Sequence, residues 1–177
     1  GIKTNISLHL PDKGDPSYTG DIETIRFNMG KFLNDTLMGL VDFKGKITGS
    51  NFTVDKLKTT LEGKISSLTY HNYTYTKIIT NGTFQKRYFN GEIKINDPNL
   101  DFTSTVEIDL SKELPRFNIL GDLVHSNLYS LNLLKNSKDS LELTGLLDVN
   151  FTGTNIDNFL GTAKFLNAAI KSGTTKL

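Results

Sequence analysis

From Leu100 to Leu110 the chain alternates without a break. Leu100, Phe102, Ser104, Val106, Ile108 and Leu110 share one parity, and Asp101, Thr103, Thr105, Glu107 and Asp109 take the other. Side chains two apart in an extended strand project from the same face, so this segment predicts a strand with one dry side and one wet side. A strand buried on both faces reads instead as an unbroken apolar run. The same period recurs along the chain: Ile6, Leu8 and Leu10; Ile25, Phe27 and Met29; Leu37, Gly39, Val41 and Phe43; Leu61, Gly63 and Ile65. It continues with Phe89, Gly91, Ile93 and Ile95, then Phe117 and Ile119 up to Gly121. The last run is Leu141, Leu143, Gly145, Leu147, Val149 and Phe151. About ten strands are predicted, which suits an all-β antiparallel meander better than a small closed sandwich.

Turn chemistry agrees. Proline appears only at positions 11, 16, 98 and 115, while Asn, Thr, Ser, Gly and Leu dominate the composition. Asp97-Pro98-Asn99 predicts a turn, because Asp favours its first position and Pro the next. Helical spacing is scarce. Asp122–Lys138, with Val124, Leu128 and Leu131 in helical register, is read as up to two turns of helix, and Asp157–Leu160 as one turn after an Asn155 cap.

The glycines have a pattern. Ten of the fifteen are followed two residues later by an apolar side chain, as in Gly39-Val41, Gly63-Ile65, Gly91-Ile93 and Gly145-Leu147. Those glycines are expected on the apolar face, as notches and as points where the sheet bends. The chain also echoes itself over 37–65 and 143–170. Gly39-Leu40-Val41-Asp42-Phe43 matches Gly145-Leu146-Leu147-Asp148-Val149, and Ile47-Thr48-Gly49-Ser50-Asn51 matches Phe151-Thr152-Gly153-Thr154-Asn155. Repetition of short strand units predicts an open-ended sheet, so residues 1–177 are read as one segment of a longer repetitive protein. The absence of an initiating methionine before Gly1 fits a processed or excised piece.

Little here points to chemistry at a site. Net charge is +1 and apolar residues make up 37%, so no strong field is expected to draw nucleic acid or acidic lipid. Cysteine is absent, which excludes disulfides and thiolate metal sites. His9, His71 and His125 stand far apart with no ligand spacing between them, so no metal is expected. Glu107 and Asp109 share a wet face, as glycosidase carboxylates can, although a solvated strand face explains them more simply. Lys86-Arg87 beside Tyr88 and Phe89 is too small a cluster for nucleic acid. The sequons at Asn5, Asn34, Asn51, Asn72, Asn81 and Asn150 follow from the Asn- and Thr-rich composition. No nucleophile elbow, phosphate loop or dinucleotide fingerprint occurs. The expectation is a protein that is not an enzyme and carries no cofactor.

One stretch carries a resemblance. Ile79-Thr80-Asn81-Gly82-Thr83-Phe84 leads to Phe89-Asn90-Gly91-Glu92-Ile93-Lys94-Ile95-Asn96-Asp97-Pro98-Asn99, then to Leu100–Leu110 and Pro115-Arg116-Phe117-Asn118. Asn127-Leu128-Tyr129-Ser130-Leu131-Asn132-Leu133 follows, and then Phe151-Thr152-Gly153-Thr154-Asn155-Ile156-Asp157-Asn158-Phe159-Leu160-Gly161. This order resembles the periplasmic repeat region of the TamB group of AsmA-like proteins, in its Bacteroidetes form. The resemblance implies a long twisted sheet curled into an open trough (a β-taco) with an apolar interior. It also implies an inner-membrane anchor elsewhere in the protein, a periplasmic location and phospholipid movement toward the outer membrane. The partners it implies are phospholipid acyl chains and, through the full-length protein, an outer-membrane barrel of the Omp85 type. In such a trough the lining would comprise Ile93, Ile95, Leu100, Phe102, Val106, Ile108, Leu141, Leu143, Leu147 and Val149. Open sheet edges would also favour an edge-mediated dimer of the fragment. The main alternative is a closed β-sandwich serving adhesion or carbohydrate binding.

Overall fold

A computed structural model describes residues 1–33, 36–53, 55–134, 141–153, 160–173 and 175–176. The chain forms one antiparallel sheet in strict sequence order. Its strands are β1 (Ile2–His9), β2 (Ser17–Asn28), β3 (Met38–Ser50), β4 (Lys58–Tyr70), β5 (Tyr73–Gln85) and β6 (Tyr88–Asp97). They continue as β7 (Leu100–Asp109), β8 (Arg116–Ser126), β9 (Leu141–Thr152), β10 (Leu160–Ser172) and the two-residue β11 (Thr175–Lys176). A five-residue helix, α1 (Met29–Leu33), follows β2. The sheet does not close: β1 lies at one end of the order and β11 at the other. No second sheet is formed among the described residues, so the closed two-sheet sandwich is not the fold.

The surface area makes the same point. The protein exposes 11873 Å², whereas a compact monomer of 19.7 kDa would expose about 8,600 Å². Only six apolar side chains are buried among the described residues: Val41, Tyr75, Ile78, Val106, Leu123 and Leu131. The chain has not folded its dry face onto itself.

Short turns set the register. His71-Asn72 and Lys86-Arg87 each hold two consecutive residues at positive φ, 51° and 63°, then 50° and 66°. This is the two-residue hairpin geometry whose twist suits the flanking strands. Asp97 pairs with Leu100 across Pro98-Asn99, and its Oδ1 accepts from the Asn99 amide at 2.9 Å, as the sequence predicted for this turn.

Three expectations shift. Ile25, Phe27 and Met29 do not share a face: the register shift at Arg26 puts Phe27 with Thr24 on the side of Val41 and leaves the exposed Ile25 on the other, and Met29 opens α1 after β2 ends at Asn28. The Asn28 Oδ1 accepts from the Lys31 amide at 2.8 Å and caps that helix. Residues 122–126 belong to β8, not to a helix, and 127–132 form a bridge and tight turns. The Leu128/Leu131 spacing fits one helical turn, but strand pairing with β7 and β9 takes the preceding residues. Residues 135–138 of that expected helix and most of the 157–160 turn lie outside the described residues, and Leu160 opens β10.

Four of the five register shifts among the described residues fall on one line, and the fifth, between Met38 and Val41 on β3, lies apart from it. The cross-strand row Thr24–Phe43–Ile65–Ile78–Ile95–Phe102–Leu123–Gly145 runs from β2 to β9. Immediately beyond it, the pairing shifts between Thr24 and Phe27, between Asp42 and Phe43, between Asp101 and Phe102, and between Leu166 and Ala169. Arg26, Lys77 and Asn167 take positive φ on that line. On β5 the flip at Lys77 lets Tyr75 and Ile78, three residues apart, enter the same buried cluster. Each such irregularity bends its strand and strengthens the local twist.

Candidate functional site: the apolar face

Cross-strand partners in an antiparallel pair share a face, so the register assigns every strand position to one side. One side carries Ile6, Gly20, Ile47, Leu61, Gly82, Gly91, Val106, Ile119, Val149 and Ala163 as a single row from β1 to β10. The opposite side carries Ser7, Thr19, Thr48, Thr60, Thr83, Asn90, Glu107, Asn118, Asn150 and Thr162. Hydrogen bonds tie this polar row together: Thr19 Oγ1 to Thr48 Oγ1 at 3.0 Å, and Asn90 and Asn118 amides to the two oxygens of Glu107 at 3.4 and 3.2 Å. Glu107 thus serves as an acceptor between strands, while Asp109 accepts from the amide and hydroxyl of Ser111.

All ten residues expected to line a path lie on the apolar side. Ile93 and Ile95 of β6 stand opposite Ser104 and Phe102 of β7. Val106 and Ile108 stand opposite Ile119 and Phe117 of β8, and Leu147 and Val149 opposite Gly121 and Ile119. Leu100 adjoins Ser126, and Leu141 and Leu143 pair with Ser172 and Ile170. Val106 is buried and the other nine are half-buried.

Most of the glycines expected on this side lie there, but Gly30 sits in α1 and the register shift between Met38 and Val41 turns Gly39 to the other side against Thr69. Those on the apolar side are not empty notches. A Cβ on Gly91 would sit 2.7 Å from the Phe89 ring and 2.8 Å from the Gly82 Cα. At Gly45 it would meet the Phe43 ring at 2.5 Å, and at Gly121 the Phe102 ring at 2.5 Å. Aromatic rings close over several of the glycines, an arrangement that restores apolar contact where glycine supplies none. Sequence reasoning placed most of the glycines and missed their covers. The signal was present, since Phe43-Lys44-Gly45 and Phe89-Asn90-Gly91 each set an aromatic two residues before the glycine it shields. A second aromatic row also went unread: Phe84, Phe89, Phe117 and Phe151 lie toward one end of the strands, with Phe117 and Phe151 stacked at 4.8 Å.

Toward the other end of the strands lie tyrosines and one carboxylate. Asp97 is 6% exposed. Burial opposes its charge, yet hydrogen bonds from the Tyr73 hydroxyl, the Asn99 amide and the Thr76 hydroxyl and amide outweigh that, and its pKa is lowered. Tyr75, on β5 beside Tyr73, is pushed up to about 12, first by burial and then by the charge of its neighbours. The sign for Asp97 is that of a depressed carboxylate: its stabilisation is present at neutral pH and fades as pH falls through and below about 4. Asp97→Asn should therefore lower the melting temperature at pH 7 and flatten the acid limb of a melting-versus-pH series. Equal acid limbs in the two proteins would refute this role.

Leu131 also belongs to the apolar side and was not expected there. It is 1% exposed and packs with Tyr75 and Ile78, around which Ile65, Leu68, Ile93, Ile95 and Leu100 gather. No group of three or more His, Cys, Asp or Glu residues suited to a metal occurs among the described residues. Among the same residues no helix is long and apolar enough to cross a membrane.

Against models of protein families, curated proteins and solved structures, the chain matches none.

Proposed function

We propose that this chain is a section of a periplasm-spanning, trough-like sheet whose apolar face carries phospholipid acyl chains between the inner and outer membranes. The observation that supports it best is the continuity of that face across ten strands, with the charged residues at paired positions, Asp97 apart, on the other side. A dry face must be covered by something, and this sheet leaves its own largely bare. An acyl chain meets the need without polar recognition, at about 0.8 kcal/mol for each methylene buried. The line of register shifts would supply the curl, and the aromatic rows the two rims. β1 and β10 are exposed along nearly their whole length, and such edges offer unpaired backbone to further strands of the protein or to a second copy. Contact with an Omp85-type barrel and anchoring in the inner membrane would fall to other parts of a full-length protein.

Site-specific photo-crosslinking in cells tests the reading. Benzoylphenylalanine at Leu147 or Ile93 of the intact protein should yield phospholipid adducts by mass spectrometry, and the same probe at Thr105, on the polar face, should yield none. Equal labelling from both faces, or none from the apolar one, would sink it.

A further inference from the structure

The connection between β8 and β9 does not take the short way. From Ser126 the chain turns through Asn127–Leu134 and reaches back over the ends of β7 and β6 to β5. The turn is self-supporting: the Asn127 carbonyl accepts from the Leu131 amide at 3.0 Å, the Leu128 carbonyl from the Leu133 amide at 3.0 Å, and Asn127 Oδ1 from the Ser130 amide at 3.0 Å. What holds its far side to the sheet is slighter. Asn132 Nδ2 donates to the His71 carbonyl at 3.3 Å, and the Leu131 side chain sinks into the cluster at Tyr75 and Ile78. Tyr129 and Leu133, either side of it, stay about half exposed, at 51% and 49%.

A branched aliphatic side chain is thus inserted into the face that the preceding section assigns to acyl chains, opposite half-buried Ile93, Ile95 and Leu100. Chemically it resembles a short run of methylenes. We propose that Asn127–Leu134 is a plug held in cis. Leu131 takes the place of an acyl chain at the β5–β7 stretch, and lipid passes only when the turn lifts away. This rests on the acyl-path reading and adds to it a point of control. A ligand that competes with an internal occupant gains apparent affinity when that occupant is weakened, in proportion to the shift in its population.

The test uses the 177-residue chain, which has no cysteine of its own. Protein is incubated with vesicles of phosphatidylethanolamine and phosphatidylglycerol carrying a fluorescent-tailed phosphatidylethanolamine, then separated by flotation, and the lipid retained on it is measured. Leu131→Ala should retain more than the parent, by about tenfold for the apolar area given up. The pair His71→Cys and Asn132→Cys, joined by a cleavable thiol crosslinker, should retain almost none until the link is cut. Retention by Leu131→Ala no greater than the parent's, or full retention by the locked pair, would overturn the plug and leave the acyl path standing. If Leu131→Ala loses its β-sheet circular dichroism, Leu131 is a structural pillar and the plug is refuted. If neither the parent nor Leu131→Ala retains more lipid than Phe102→Arg, the path itself fails and the plug with it.

Discussion

Phe102→Arg should abolish lipid transfer by the intact protein while leaving the sheet folded. Phe102 lies near the start of β7, between Ile95 and Leu123, with its ring over Gly121. It is only half-buried, so losing the ring should cost about 1–2 kcal/mol, below the range for fully buried phenylalanines. The guanidinium has water on its open side in the lipid-free protein. An acyl chain lying across it would strip that water away, and an unpaired charge in apolar surroundings costs several kcal/mol. Transfer between donor and acceptor vesicles should therefore fall by more than about a hundredfold. Thr105→Arg, on the polar face three residues along β7, should transfer at the parent rate. A folded Phe102→Arg protein that still transfers lipid would show that the path does not cross β7.

The largest loss of stability is expected at Ile78. It is 4% exposed and stands between Ile65 and Ile95, beneath Leu131. Ile78→Ala should destabilise by about 2–4 kcal/mol, since the strands around it are fixed by pairing on both sides and can collapse only partly into the void. Its neighbour Ile79 points the other way and is 47% exposed, so Ile79→Ala should stay within about 0.5 kcal/mol of the parent. Urea unfolding of the two variants gives a direct comparison. Similar midpoints would mean that β5 is not faced as described.

Much of this face was legible in the sequence because strand alternation reports directly on which side a residue takes. All ten residues from Ile93 to Val149 that were expected to share a side do so. What escaped was phase. Arg26, Lys77 and Asn167 adopt positive φ, and nothing about Arg or Lys announces that conformation, unlike Gly. A run such as Tyr73–Ile78 therefore reads as broken alternation, when the break is what puts Tyr75 and Ile78 side by side. The Asn127–Leu134 turn escaped for another reason. Three-residue spacing of leucines fits a helix and a tight turn equally well, and only the distant partners Tyr75 and His71 decide between them. The glycine covers needed a third kind of knowledge, the lean of a ring along its own strand.

The aligned register shifts also bear on how such a chain can change in length. Because four of the five register shifts among the described residues sit at one height, the β2–β3, β3–β4, β7–β8 and β9–β10 pairs bend in step with one another. A hairpin could be duplicated or deleted as a unit, and every remaining side chain would keep its side. The partial echo between 37–65 and 143–170 is what such copying would leave behind. A single added strand would reverse the chain direction of all that follows, whereas a pair is neutral. Growth in such a protein is therefore expected to be quantised in pairs of strands, with the bend acting as the ruler.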